Sequence, residues 1–285
     1  MTLNVDELLD TEHRDIPFSY NDKDSILYAL GVGLGESLDD SKSLRFLYEN
    51  HGGVATVPTM ASVLVPDMFP PDLGWDYSQV LHLDQRLQLF RPLPAGAALM
   101  INKRVSEIYD RGSGKGAYVL FEAEGRLAKD DTVIFTLGST ILARGDGGCG
   151  APKGKAPLPH KTPAREPDLS CDIPTTAQQA LLYRLNGDWN PLHADPAVAK
   201  AAGFDKPILH GLCTYGIACH AILKTICDYD PTLISEFNAR FSSPVLPGDT
   251  ITTEMWQDGN EISFQCAVKE RDTVVIKNGK CVLRA

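Results

Sequence analysis

The chain repeats itself at long range, and that constrains its fold more than any single motif. Phe90-Arg91-Pro92-Leu93-Pro94-Ala95-Gly96 answers Ser242-Ser243-Pro244-Val245-Leu246-Pro247-Gly248, with Pro92 and Gly96 matching Pro244 and Gly248. Asp131-Thr132-Val133-Ile134, running through Gly138 to Leu142, answers Asp272-Thr273-Val274-Val275, running through Gly279 to Leu283. Upstream, Leu27 to Gly33 answers Leu182 to Asp188, so Gly33 stands where the second copy has Asp188. Such self-similarity means one structural plan used twice. The reading divides the chain into a first repeat at 1–144, a linker at 145–165 and a second repeat at 166–285. The stretch from Gly145 to Pro157 is rich in Gly, Pro and Lys and has no apolar period, as a linker should.

Each copy begins with helical material and ends in strands. In the second, Thr176 and Gln179 form a candidate capping box for a short helix that stops at Asn186-Gly187. Asp195-Pro196 reads as an N-cap with Pro at the first helical position, and Gly203 as the stop of that helix. From Gly211 to about Cys227 the pattern is apolar nearly all round, which predicts a helix wrapped by protein. Strands are expected at 240–245, 250–256, 262–268 and 274–283, the last bending near Gly279. The first copy repeats them at 80–89, 98–108, 117–127 and 133–142. Phe264, Cys266 and Val268 alternate with polar neighbours, the mark of an antiparallel sheet with one buried face. The class is therefore α+β.

Composition narrows the function. An excess of 37 Asp and Glu over 27 Lys and Arg argues against nucleic acid or an anionic membrane surface as partner. No apolar run approaches transmembrane length, and neither a signal peptide nor a C-terminal peroxisomal signal is present, so a cytoplasmic protein is expected, peroxisomal only as part of a larger chain or carried by a partner. Seven cysteines with no C-x-x-C spacing read as reduced thiols, mostly buried.

Chemistry concentrates between residues 183 and 216. Asp188, Asn190 and His193 surround a turn that Gly187 permits and Pro191 stiffens, which lets a base, an orienting group and an acid face one bound water. Leu209-His210-Gly211 then opens the long apolar helix, whose free N–H groups suit a developing oxyanion. His193-x-Asp195 offers no third and fourth metal ligand at recognisable spacing, so no metal is expected. Gly31-Val32-Gly33-Leu34-Gly35 follows a helical pattern and lacks the G-x-G-x-x-G order, which argues against a nicotinamide cofactor; no cofactor of any kind is expected. A serine hydrolase would need a Gly-x-Ser-x-Gly elbow, and none occurs.

The run Gly187-Asp188-Trp189-Asn190-Pro191-Leu192-His193-Ala194-Asp195-Pro196, followed by Gly203-Phe204, Pro207-Ile208 and His210-Gly211, resembles the signature of R-specific 2-enoyl-CoA hydratases, the hydratase 2 or MaoC-like group. With the duplication, the likeness extends to the two-repeat members, including the hydratase part of peroxisomal multifunctional enzyme type 2. It implies a double hot dog, two long helices each wrapped by an antiparallel sheet. It also implies syn hydration of a trans-2-enoyl-CoA to a (3R)-3-hydroxyacyl-CoA in fatty-acid metabolism, with an acyl-CoA thioester as substrate and a homodimer as the expected assembly. By motif position, Asp188 and His193 would be the catalytic pair, Asn190 would hold the constellation, and Gly211 would donate its N–H to the thioester oxygen. Phe46-Leu47-Tyr48-Glu49 resembles a family stretch whose Glu supports the site. Gly33 departs from the motif, so the first repeat is expected to hold substrate without chemistry of its own. Coenzyme A is polyanionic, and Arg184, Lys200 and Lys206 flank the motif as candidate partners, with His210 as a further ligand contact. Residues 47–71, with Gly52-Gly53, Met60, Met68 and Phe69, are a candidate acyl tunnel. Three alternatives stay open at this point: a dehydratase on acyl-carrier-protein esters, a hot dog thioesterase and a non-catalytic acyl-CoA binder.

Overall fold

A computed structural model describes residues 3–36, 41–50, 52–68, 79–154 and 156–284. Its ten strands form one sheet: β1 (Glu12–Tyr20), β2 (Val80–Leu89), β3 (Ala97–Asp110), β4 (Ala117–Leu127), β5 (Val133–Ala143), β6 (Leu169–Pro174), β7 (Ile234–Phe241), β8 (Thr250–Asp258), β9 (Glu261–Val268) and β10 (Thr273–Leu283). They lie in the order β1-β3-β4-β5-β2-β7-β10-β9-β8-β6, and every adjacent pair is antiparallel. Read outward from the centre, the two halves have the same strand order. The duplication has become a pseudo-twofold, with its axis between β2 and β7. That seam pairs Asp84 with Arg240, Leu87 with Phe237 and Gln88 with Glu236.

Among the described residues five α-helices accompany the sheet: α1 (Val5–Leu9), α2 (Asp22–Gly31), α3 (Gln179–Tyr183), α4 (Pro196–Ala201) and α5 (Gly211–Thr225). α5 is the apolar helix expected from the sequence. Its residues from Cys213 to Leu223 are all buried, and Ile217, Ile222 and Leu223 have no exposed surface. Each such side chain contributes about 1.5–3 kcal/mol relative to an exposed one. The Tyr215 hydroxyl donates to the Phe237 carbonyl at 2.5 Å, fastening α5 to β7. Gly216 lets the end of α2 close in, since a Cβ there would stand 2.4 Å from Val32.

The pseudo-equivalent helices α2 and α3 meet across the axis. Gln179 Nε2 donates to the Gly31 carbonyl at 2.7 Å, and a Cβ on Gly31 would lie 3.1 Å from Asn186. Gln179 Oε1 also accepts from the Thr176 N–H and hydroxyl, so the returning half of the capping box forms, although the regular helix begins only at Gln179. Asp195 accepts the Ala197 N–H at 2.8 Å, and Gly203, at φ +87°, ends α4 as expected.

One difference separates the copies. Between α2 and β2, where the second copy has α5, the described part of the first copy holds only 3₁₀ turns, Ser43–Phe46 and Pro58–Val63. Pro58 and Pro66 interrupt any longer run there, as proline must inside a helix. The linker is tied down rather than loose. The His160 ring bonds the Ser263 hydroxyl at 2.7 Å, Asn278 donates to the His160 carbonyl at 2.6 Å, and Trp256 Nε1 donates to the Arg165 carbonyl at 2.7 Å. No described helix is long and apolar enough to cross a membrane. The seven cysteines are free thiols, six of them buried. Burial pushes Cys227 and Cys266 up to about 12, which leaves them protonated and unreactive.

Candidate active site

A 3₁₀ turn at Arg184–Asn186 follows α3 and ends at Gly187, whose φ of +113° is open to glycine and costly to other residues. Asp188 comes next, and its carboxylate accepts the Asn190 N–H at 3.2 Å. The Asn190 side chain accepts the Leu192 N–H at 3.0 Å and caps the turn Pro191–His193. Asn190 is itself exposed, so it acts here as a turn former that brings Asp188 and His193 to one side.

His193 is buried, and its Nδ1 lies 2.9 Å from the Ile208 carbonyl. A carbonyl only accepts, so Nδ1 carries the proton and Nε2 keeps its lone pair. His210, buried to 1 % exposure, donates from Nε2 to the Asp188 carbonyl at 3.3 Å, while its Nδ1 is buried without a partner. The two rings stack, with centroids 3.8 Å apart. One nitrogen from each histidine and a carboxylate oxygen of Asp188 lie within 4.8 Å of one another.

Burial holds both imidazoles neutral. It lowers His193, against the opposing pull of the Ile208 carbonyl and the Asp188 charge. It brings His210 down to about 4, helped by the neighbouring His193 and opposed by Asp188. This trio is also a donor set that a cation can use. The two rings are inclined by 28°.

α5 begins beside this cluster. His210 is its N-cap and supplies no side-chain cap. The N–H groups of Cys213 and Thr214 return to the His210 carbonyl, which leaves the first turn's Gly211 and Leu212 donors for a ligand. The Phe241 ring lies 3.4 Å from the place of a Gly211 Cβ, and it meets the His82 ring at 4.9 Å. His82, on β2 of the first copy, is lowered to about 4 by burial, while the Asp84 carbonyl and the Asp188 charge oppose the shift. Both halves of the molecule therefore wall the same site.

The second copy, residues 159–279, matches the family described as MaoC like domain, and residues 18–145 match the MFE-2 hydratase 2 N-terminal domain. This chain belongs to the MaoC-like hydratase 2 family. The peroxisomal enoyl-CoA hydratase 2 of Arabidopsis thaliana is 37 % identical, over 96 % of this chain and 93 % of that protein. The crystal structure of a MaoC-like dehydratase from Phytophthora capsici, 34 % identical, superposes with a TM-score of 0.86 over 99 % of this chain and 98 % of that one. A Mycobacterium tuberculosis protein described as having a double hotdog fold aligns over 96 % of each chain with a TM-score of 0.56; at 14 % identity it bears on the fold alone.

Within this MaoC-like hydratase, not every residue picked from the sequence joins the site. The Arg184 guanidinium lies over the Trp189 ring at 4.5 Å, and its charge is felt at His210, so it stands beside the cluster. Lys200 and Lys206 are exposed. Glu49 is also exposed, and its segment is fastened elsewhere: Lys42 pairs with Asp228, and Arg45 donates to the Tyr229 carbonyl at 3.2 Å. Asp228 and Tyr229 follow the C-terminal end of α5, about 22 Å of helix from Gly211. The structure thus separates Glu49 from Asp188 and His193, because the Lys42–Asn50 segment packs at the opposite end of the helix. Met60 is buried in the main core beside α5, and Met68 packs against that core; Phe69 to Pro71 lie outside the described residues. His82 and Phe241 were missed in the sequence because each belongs to a strand far from the motif, and only the β2–β7 seam brings them to it.

Proposed function

We propose that this protein adds water to a trans-2-enoyl-CoA to give the (3R)-3-hydroxyacyl-CoA, a step of fatty-acid metabolism. The observation that carries the reading is the meeting of a carboxylate, a neutral imidazole with a free Nε2 and the open N-terminus of α5 in one place. The water oxygen bonds to Cβ of the thioester and one water proton passes to the Asp188 and His193 pair. Cα receives a proton from the same pair, so the product gains one H and one OH and the side chains end as they began. Charge that develops on the thioester oxygen is met by the Gly211 N–H, a contribution of roughly 3 kcal/mol. Positioned acid and base groups add on the order of 10²- to 10⁴-fold in rate.

In this reading the first repeat, 1–144, holds the acyl chain, the linker is 145–165, and the second repeat, 166–285, carries the chemistry. Gly33, at φ +84°, leaves the first copy without a carboxylate at the matching place. The reading keeps the expected homodimer, which sedimentation tests, and the cytoplasmic location, which fractionation tests. The test of function is hydration of crotonyl-CoA and a longer enoyl-CoA, coupled to an R-selective dehydrogenase. Turnover only on carrier-protein esters, or release of free thiol from saturated acyl-CoA, would replace it with a dehydratase or a thioesterase.

A further inference from the structure

His82 reaches the reaction centre through an irregularity in its own strand. Gln85, Leu87 and Leu89 of β2 are buried toward the core, so strict alternation would point Leu81 and Leu83 inward and His82 outward. The pairing with β5 slips between His82 and Asp84, where β2 advances by two residues while β5 moves only from Ile141 to Thr140. This β-bulge reverses the parity. It leaves Leu81 37 % exposed and sets His82 against Phe241, with ring centroids 4.9 Å apart and planes at 61°. The His82 Nε2 donates to the Asp84 carbonyl at 3.0 Å, which fixes the ring across the bulge. Phe241 in turn lies 3.4 Å from the place of a Gly211 Cβ. A chain of contact therefore runs from β2 of the first copy to the first residue of α5.

The duplication supplies an internal control. The seam register is symmetric, Asp84 pairing with Arg240 as Gln88 pairs with Glu236, so His82 corresponds to Ile234 and Leu89 to Phe241. β7 carries the same bulge, for its pairing with β10 slips between Ile234 and Glu236. Ile234 and Leu89 are both buried in the main core, each 1 % exposed. The fold is thus satisfied by two aliphatic side chains at these positions. The differences between the copies fall together: an imidazole and a phenyl ring go with Asp188, isoleucine and leucine with Gly33. An imidazole costs more to bury than isoleucine, so packing alone does not account for His82.

We propose that His82 is a positioning residue for the hydration step: through Phe241 it holds the first turn of α5 so that the Gly211 N–H meets the thioester oxygen. The proposal rests on the hydratase reading and deepens it, because the first copy then helps to build the reaction centre as well as to hold the substrate.

The experiment gives each position the residue of its counterpart, His82→Ile and Phe241→Leu, and follows hydration of crotonyl-CoA. Each variant is expected to lower kcat roughly tenfold with KM within about twofold of wild type, since a displaced donor loses transition-state stabilisation and leaves ground-state binding. The two losses should not multiply: the double variant is expected to be no slower than F241L. His82→Gln, which keeps a donor for the Asp84 carbonyl, should recover most of the kcat that H82I loses. Wild-type kcat in folded H82I, a rise in KM alone, or a double variant whose loss is the product of the single losses would overturn the proposal. If H82I does not fold, F241L decides, and wild-type kcat there overturns it equally. If wild type hydrates no enoyl ester, the functional reading fails by itself, and amide hydrogen exchange judges the contact. The N–H groups of Leu209, Cys213 and Thr214 are bonded to the Val245 and His210 carbonyls. Faster exchange of the 209–214 peptide in H82I or F241L than in wild type supports the positioning role, and equal exchange removes it.

Discussion

The His193 and His210 rings lie face to face, 3.8 Å between centroids and inclined by 28°, and each hands a proton to a backbone carbonyl: Ile208 for one, Asp188 for the other. One ring thereby keeps a lone pair for chemistry, and the other braces the peptide that carries the acid.

Replacing Asp188 by Asn or His193 by Ala should lower kcat for crotonyl-CoA by roughly 10²- to 10⁴-fold. Circular dichroism should be unchanged, because both residues belong to a turn rather than to a strand or a regular α-helix. Near wild-type turnover in either variant would take that residue out of the mechanism.

Gly211→Pro isolates the oxyanion donor. Proline is welcome at the first position of a helix, and His210 before it already has φ −59° and ψ 137°, the backbone that a residue preceding proline prefers. The helix should survive while the N–H is lost, and kcat should fall by about 10²- to 10³-fold. A thermal melt near that of wild type, with kcat intact, would show that another donor serves the thioester.

Gly187→Ala tests the turn. Nothing lies within 4 Å of the added Cβ, so the cost comes from φ +113° alone. The expected loss is about 1 to 2 kcal/mol in urea denaturation, with a larger fall in kcat than in substrate affinity because Asp188 is the next residue. A fall in affinity alone would mean that the turn serves binding rather than catalysis.

Acid should weaken the fold through the buried histidines. In the unfolded chain His210 titrates near its ordinary 6.5, and in the folded protein at about 4. Between these values the unfolded chain binds more protons, so stability is complete above pH 6.5 and falls as pH drops toward 4, by on the order of 3 kcal/mol from this residue. His193 shifts in the same direction. Urea titrations at pH 7 and pH 4.5 should show the loss, and His210→Gln should shrink it. Equal stability at the two pH values would contradict the burial of these rings as neutral species.

Met60→Trp should shorten the acyl chains accepted, read as the ratio of kcat/KM for C4 and C10 enoyl-CoA. Met60 is 2 % exposed, with its sulfur 3.5 Å from the Ser25 hydroxyl, so the larger ring should also cost about 1–3 kcal/mol. An unaltered chain-length profile would place the tunnel elsewhere.

The duplication was legible because it sits in the register of whole segments, and it foretold the symmetric strand order. The two edge strands were not. β1 begins with Glu12-His13-Arg14-Asp15, and β6 is six residues ending in Pro174; both sit at sheet margins, where polar and proline-bearing sequences are tolerated and the apolar alternation is weak. β7 was placed six residues late, since Pro244 and Val245 look strand-like in isolation, while the ladder to β2 runs through 236–240. Around the site, Asp188, His193 and the start of α5 were visible because one local turn joins them. The stacking of His210 on His193 and the approach of His82 were hidden, since each depends on packing between segments that sequence spacing does not reveal. Glu49 shows the converse: a familiar local pattern says nothing about which end of a helix its loop will reach.

The unbroken seam from β2 into β7 makes unlike fates possible for the two copies. Two identical single-copy chains meeting across such an axis would present twin clefts, and every substitution would strike both. Once the copies are covalently joined, a difference such as Gly33 in one and Asp188 in the other sits on one side only, and each side is always accompanied by its unlike neighbour.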